Sequence, residues 1–223
     1  KPMKQFLHLL ILVLFCFCNT QDKVTPPNII FILTDDHGFG DLGVYGATDI
    51  KTPNLDRLAG EGARFTSYYA TQPVCSASRA SILTGCYPDR IGIHNAYSPG
   101  SKVGLNPEET TLAELLKEKG YATGIFGKWH LGDAPEFQPR KHGFDESLRM
   151  DQGSLFLPEN DPNVINAKLD FDPIDKLLWG NLPYAVNFNE GPRMKPKGHL
   201  TDYLTNEAVK VIELNKNRPF FLN

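Results

Sequence analysis

The sequence predicts a layered α/β domain with a central, mostly parallel sheet, and three observations predict it. Residues 28–34, NIIFILT, form a continuous β-rich run bounded by Pro26 and Pro27 before it and by Asp35, Asp36 and Gly38 after it. That is the pattern of a strand buried on both faces, as in parallel sheets. Further apolar runs, YATGIF from Tyr121 and PFFL from Pro219, alternate with segments that carry helix start and stop signals. No internal repeat interrupts that alternation.

The chain has 223 residues, 41% of them hydrophobic, with 17 prolines and 19 glycines, a globular composition long enough for a substantial core. Its 23 basic and 26 acidic residues leave a formal charge of -3 with no basic stripe, which argues against nucleic-acid binding.

Taken in order, the elements begin at Met3, where Lys4 precedes the apolar run FLHLLILVLFCF. A positive flank followed by an apolar stretch too short to span a bilayer comfortably, and without a helical stripe, reads as a secretory signal over residues 1–22. The expectation is an exported protein, periplasmic or extracellular. Cys16 and Cys18 close the run before a polar segment, so either fits the position of a lipidated cysteine, although bulky residues precede both. A lipid anchor is the one membrane contact expected. Cys75 and Cys86 then remain in the folded part, too few for a disulfide framework.

Thr52 followed by Pro53 is a helix start, with Leu55, Leu58 and Ala59 on one face and Gly60 and Gly62 closing it. Thr111 with Glu114 forms a capping box for a helix through Lys119, ended by Gly120. From Gly143 to Gly198 the chain is rich in Asn, Asp, Pro and aromatics, and it reads as long loops with short elements. Thr201 to Asn217 returns to helix, with Leu204, Ala208, Val211 and Ile212 on one face. RPFFLN stops inside an apolar segment with no turn or cap, so the chain is expected to continue beyond Asn223.

Three clusters can carry chemistry. Asp35 and Asp36 leave the first strand at its carboxyl end, where ligands gather in open α/β sheets. Adjacent carboxylates there suit a hard cation, Ca²⁺ or Mg²⁺, or simply a solvated turn. Cys75 opens CSASRASILTG, whose helical body puts Cys75 and Arg79 on one face, within reach of each other. Taken alone, that cysteine is equally a buried small hydrophobe or a low-pKa thiol. In GKWHLG, Lys128 and His130 emerge from a strand end on alternate positions, pointing to one side if extended. A Lys to hold an anionic oxygen and a His to donate a proton suit cleavage of an anionic ester, or else both face solvent.

In NIIFILTDDHGFGDLGVYG, TPNLDRLAGEGARFTSYYA, VCSASRASILTG, GKWHLG, HGFDE and the terminal LTDYLTNEAVKVIELNKNRPFFL, the chain resembles the sulfatase family of the alkaline phosphatase superfamily. The resemblance implies an alkaline-phosphatase-like fold, with residues 23–223 as the amino-terminal part of a catalytic domain. It implies Ca²⁺, with Mg²⁺ the weaker candidate, on Asp35, Asp36 and Cys75, the last converted to formylglycine by a maturation enzyme that reads its Cys-x-Ala-x-Arg core. Arg79 resembles the residue that supports the aldehyde hydrate. Lys128 and His130 resemble the pair that contacts the sulfate and the nucleophilic centre.

By the same resemblance, one hydrate hydroxyl attacks sulfur, the alcohol departs, and collapse of the sulfated hydrate releases sulfate. Thiols are poor partners for Ca²⁺, and removing the sulfur resolves that mismatch. Cys86 departs from the pattern, standing where many relatives carry Arg. Further ligands are expected beyond RPFFLN, so this stretch alone is expected to be inactive. Hydrolysis of phosphate esters, and a glycan-binding protein with a decayed site, are the competing readings. The expected substrate is a sulfated small molecule or glycan, contacted by the aromatic and basic segment from Ser147 to Lys197 with Trp179, Tyr184, Phe188, Arg193 and Lys195, or else that segment is a packed insertion.

Overall fold

The computed structural model describes residues 25–150, 156–158, 161–162 and 183–223. The segment read as a secretory signal, with Cys16 and Cys18, and Trp179 lie outside the described residues.

A five-stranded sheet runs in the order β1-β5-β2-β3-β4, with β1 at Ile29–Ile30, β2 at Ala122–Lys128, β3 at Glu146–Met150, β4 at Val186–Phe188 and β5 at Phe220–Leu222. Pairings β1–β5, β5–β2 and β2–β3 are parallel, and only β4 runs antiparallel. The mostly parallel α/β architecture expected from the sequence is therefore present. Four helices accompany it among the described residues: α1 at Pro53–Glu61, α2 at Cys75–Thr84, α3 at Leu112–Glu118 and α4 at Leu200–Asn215.

Both faces of the sheet are covered, and adjacent residues of β2 show why. Side chains alternate across a strand, so Ile125 joins one core with Ala77, Ala80 and Leu83 of α2, Ala113 and Leu116 of α3, Trp129 and Phe221. Phe126, its neighbour, turns to the other face, where Leu148, Tyr184, Val186 and Leu200 are packed with Tyr203 and Leu204 of α4. Each large side chain buried in this way is worth about 1.5–3 kcal/mol.

The capping box of α3 forms as expected. Glu114 N donates to Thr111 Oγ1 at 3.3 Å and Thr111 N donates to Glu114 Oε2 at 2.7 Å, while Gly120 takes a left-handed φ of 83° past the helix end. Thr111 also donates its hydroxyl to His142 O at 2.8 Å, tying the cap to the HGFDE segment.

Three expectations need correction. The first strand is not buried on both faces: it pairs as strand only over Ile29–Ile30, and Ile30, Ile32 and Leu33 are exposed. Its place at the sheet edge is the reason, since β5 is its one partner among the described residues. The stretch after Gly143 holds β3, in register with β2 from Gly124↔Glu146 to Lys128↔Met150, and β4, so part of it is sheet. Tyr184 is core, 8% exposed, with its hydroxyl donating to the carbonyls of Pro196 and Gly198. For this residue the packed-insertion reading holds.

Candidate active site

Members of all three expected clusters meet, side chain to side chain, at the carboxyl ends of β1 and β2: Asp35, Lys128 and Arg79, the last from the helix that Cys75 heads. Phe31 N still donates to Leu222 O at 2.8 Å, holding the chain against β5 until just before Asp35. Asp35 Oδ1 accepts from Arg79 Nη2 at 3.0 Å and Oδ2 from Lys128 Nζ at 2.7 Å. Arg79 Nη1 donates to Lys128 O at 2.9 Å. Arg79 and Lys128 are largely shielded, with side chains 11% and 15% exposed, whereas Asp35 is 47% exposed. Partial burial pushes the Asp35 carboxyl upward, but the hydrogen bonds and charges of Lys128 and Arg79 outweigh it and hold the group below the usual carboxylate range.

Helix α2 owes its position to its inner face, where Ser76, Ala77, Ala80, Ser81 and Leu83 are buried against the sheet. Cys75 is its first residue, half-buried and free, at the positive end of the helix dipole. Arg79, one turn on, shares the outer face as its spacing requires. Its guanidinium is occupied by Asp35 and the Lys128 carbonyl, and its Nε is buried without an acceptor among the described residues. Two of its five N–H donors are used in this way, and Nε–H is among those still available to an acceptor. Cys86 lies just past the left-handed Gly85, half-buried, its N–H donating to Thr84 Oγ1 at 3.2 Å.

His130 is brought in differently from what alternation predicts. Its φ is 57°, so the chain turns after Lys128 rather than running on extended, and the two side chains do not share a strand face. Its Nε2 donates to Tyr97 O at 2.7 Å, and its Nδ1 is buried without a partner among the described residues. Burial holds the ring below its ordinary value; the Tyr97 hydrogen bond opposes this, the charges of Lys128 and Arg79 add to it, and Asp35 works against them. A neutral ring with Nε2–H committed leaves Nδ1 as an acceptor. In that tautomer Nδ1 can take a proton, a role that stands beside the proton donation expected from the sequence.

Tyr97 gave no signal in the sequence, yet it links two clusters. Its N–H donates to the buried Ser76 Oγ at 3.0 Å while its carbonyl takes His130, so α2 and the β2 end are joined through one residue.

Asp36 is exposed, with φ at 53°. Among the described residues no group of three or more His, Cys, Asp or Glu side chains gathers as a metal cluster, so Asp35, Asp36 and Cys75 are not drawn together as a ligand set. The donor chemistry nonetheless fits a hard cation. Asp35 uses two of about four carboxylate lone-pair sites on Arg79 and Lys128, and the rest, with Asp36, supply part of the six to eight oxygens that Ca²⁺ takes.

Comparison with known proteins matches the Sulfatase family model to residues 27–223. N-acetylgalactosamine-6-sulfatase of Sus scrofa is 51% identical over 96% of this chain and 42% of its own length. Arylsulfatase A of Homo sapiens is 50% identical over 55% of this chain and 25% of its own. The chain therefore spans less than half the length of these relatives. Among solved structures, Ps i-CgsB in complex with k-i-k-neocarrahexaose superposes with a TM-score of 0.73 at 36% identity, over 88% of this chain and 44% of that one.

Proposed function

Because the chain belongs to the sulfatase family, whose members use formylglycine and a divalent metal, we propose that the full-length protein hydrolyses sulfate esters of a glycan through a formylglycine made from Cys75. The observation that carries this is the bracket of Arg79 and Lys128 around Asp35 beside the helix that Cys75 heads. Two cations fixed by the fold, shielded from water and aimed at one point, are what a sulfuryl group gaining charge in its transition state requires.

Asp35 and Asp36 would hold the cation, most suitably Ca²⁺, which when bound adds positive charge toward the sulfuryl oxygens. Lys128 and Arg79 orient the ester through its non-bridging oxygens. One hydroxyl oxygen of the hydrated Cys75 aldehyde forms a bond to sulfur as the bond from sulfur to the alcohol oxygen breaks, and the proton lost by that hydroxyl is balanced by the one the departing alcohol oxygen takes up. His130 then takes the proton of the second hydroxyl at Nδ1, the carbonyl reforms, and sulfate leaves with the first oxygen. A serine ester would lack that second hydroxyl. Relatives at 40–51% identity named N-acetylgalactosamine-6-sulfatase support a sulfated amino sugar as substrate. The apolar run that follows Lys4 supports export and action outside the cytoplasm.

The test compares aryl sulfate with aryl phosphate using full-length protein from a host that modifies the cysteine. A kcat/KM favouring the sulfate is expected, with Lys128→Ala lowering kcat about 10²- to 10³-fold. A preference for the phosphate overturns the reading.

A further inference from the structure

Next to the catalytic strand ends lies a cleft of about 510 Å³, within the size range of small-ligand sites, lined by Asp133, Gln138, Arg140, Arg149, Asn187 and Glu190. We infer that this cleft holds the sugar unit joined to the sulfated one, with Arg149 reading an acidic group on that neighbour; the inference rests on the sulfatase reading above.

The placement follows from register. Arg149 of β3 pairs with Gly127 of β2, the residue immediately before Lys128. Paired residues of parallel strands project from one face, and Leu148 and Met150 occupy the opposite one in the core under α4. Gly127 has no side chain to fill the space beside Arg149, and a Cβ built there meets nothing within 4 Å. From the other direction, Asp133 follows His130 closely in sequence and fixes that loop by accepting from Gly100 N at 2.8 Å. The segment that bears Lys128 and His130 thus also forms a rim of the cleft.

The lining is chemically suited to a sugar acid. Gln138 is only 7% exposed; its Nε2 donates to Asp133 O at 2.7 Å, while its Oε1 is buried without a donor among the described residues. Asn187 repeats the arrangement, with Nδ2 donating to Gly191 O at 2.9 Å and Oδ1 buried without a donor. Two residues lining one cleft, each with an acceptor that lacks a donor, suit a ligand rich in hydroxyl groups, and a site built this way discriminates against ligands that lack them. Arg140 is held by Glu190 at 3.1 Å, which stiffens the rim. Arginine offers the planar fork that matches a carboxylate.

The probes are an aryl sulfate and a disaccharide of uronic acid with 6-sulfated N-acetylgalactosamine, turned over by the full-length protein. For Arg149→Gln the ratio of kcat/KM on the disaccharide to kcat/KM on the aryl sulfate is expected to fall about 10- to 100-fold, mainly through KM on the disaccharide. Asn187→Ala is expected to lower the same ratio, and it stands in if the first variant does not fold. An unchanged ratio in the folded variants overturns the subsite while leaving the sulfatase reading intact. If the wild type turns over neither sulfate, the sulfatase reading fails, and titration of the disaccharide onto wild type and variants decides the subsite. Binding weakened tenfold or more by Arg149→Gln supports it, and equal binding or none at all overturns it.

Discussion

At the scale of single residues, the account depends on how a few side chains are held. Ser76, fully buried in α2, accepts from Tyr97 N, and Tyr97 O accepts from His130 Nε2. Ser76→Ala leaves a buried N–H without its acceptor, so unfolding free energy is expected to fall by about 1–3 kcal/mol in denaturant titration. The same change loosens His130, so kcat is expected to drop about tenfold with KM nearly constant, because His130 acts after binding. An unchanged kcat would remove Tyr97 from the site. Cys75, Arg79, Lys128 and Asp35 were legible in the sequence because each sits at an element end or at helical spacing. The Tyr97 link was not, because main-chain hydrogen bonds from a loop leave no pattern in residue type. The placement of His130 was misread for a related reason: its left-handed φ and its Nε2 partner are set by tertiary structure.

At the scale of elements, α3 and the HGFDE segment form one unit. Thr111 caps α3 and donates to His142 O, and Gly143, at φ 90°, lies so close to Glu114 that a Cβ there would collide with it. His142 is fully buried beside Trp129, with ring centroids 5.6 Å apart, and neither ring nitrogen has a partner among the described residues. Burial holds this imidazole below its ordinary 6.5, with the nearby Glu114 charge opposing. The unfolded chain therefore binds more protons in the window between the folded value and 6.5. The contribution of the buried neutral ring to stability is complete above that window and is lost as the pH falls through it. His142→Phe keeps a ring and removes the proton site, so its denaturation midpoint is expected to vary less than that of the wild type between about pH 7 and about pH 5. Equal slopes would contradict this. Helices α1, α3 and α4 and strands β2 and β5 were readable from caps and periodicity. Strand β3 was not, because ESLRM carries charge at positions that only its pairing with β2 makes sheet.

For the whole molecule, the sheet carries one core under α2 and α3 and another under α4, and the open carboxyl ends of its parallel strands gather Asp35, Lys128 and Arg149. That layered α/β plan was legible from alternating apolar runs. The exposure of β1 was not, since an edge strand and a central strand of a parallel sheet have the same composition. What the assembled fold adds is convergence: an acidic residue, two cations and the helix headed by Cys75 come from distant parts of the chain to one place. The proposed reaction requires that the thiol be replaced by an aldehyde. The most direct test is the mass of the peptide carrying Cys75, taken from full-length protein that hydrolyses aryl sulfate. The account predicts a mass lowered by the exchange of sulfur for oxygen and the loss of two hydrogens, with the aldehyde trapped by a hydrazine reagent. Full aryl sulfatase activity in protein whose Cys75 is entirely an unmodified thiol would contradict it.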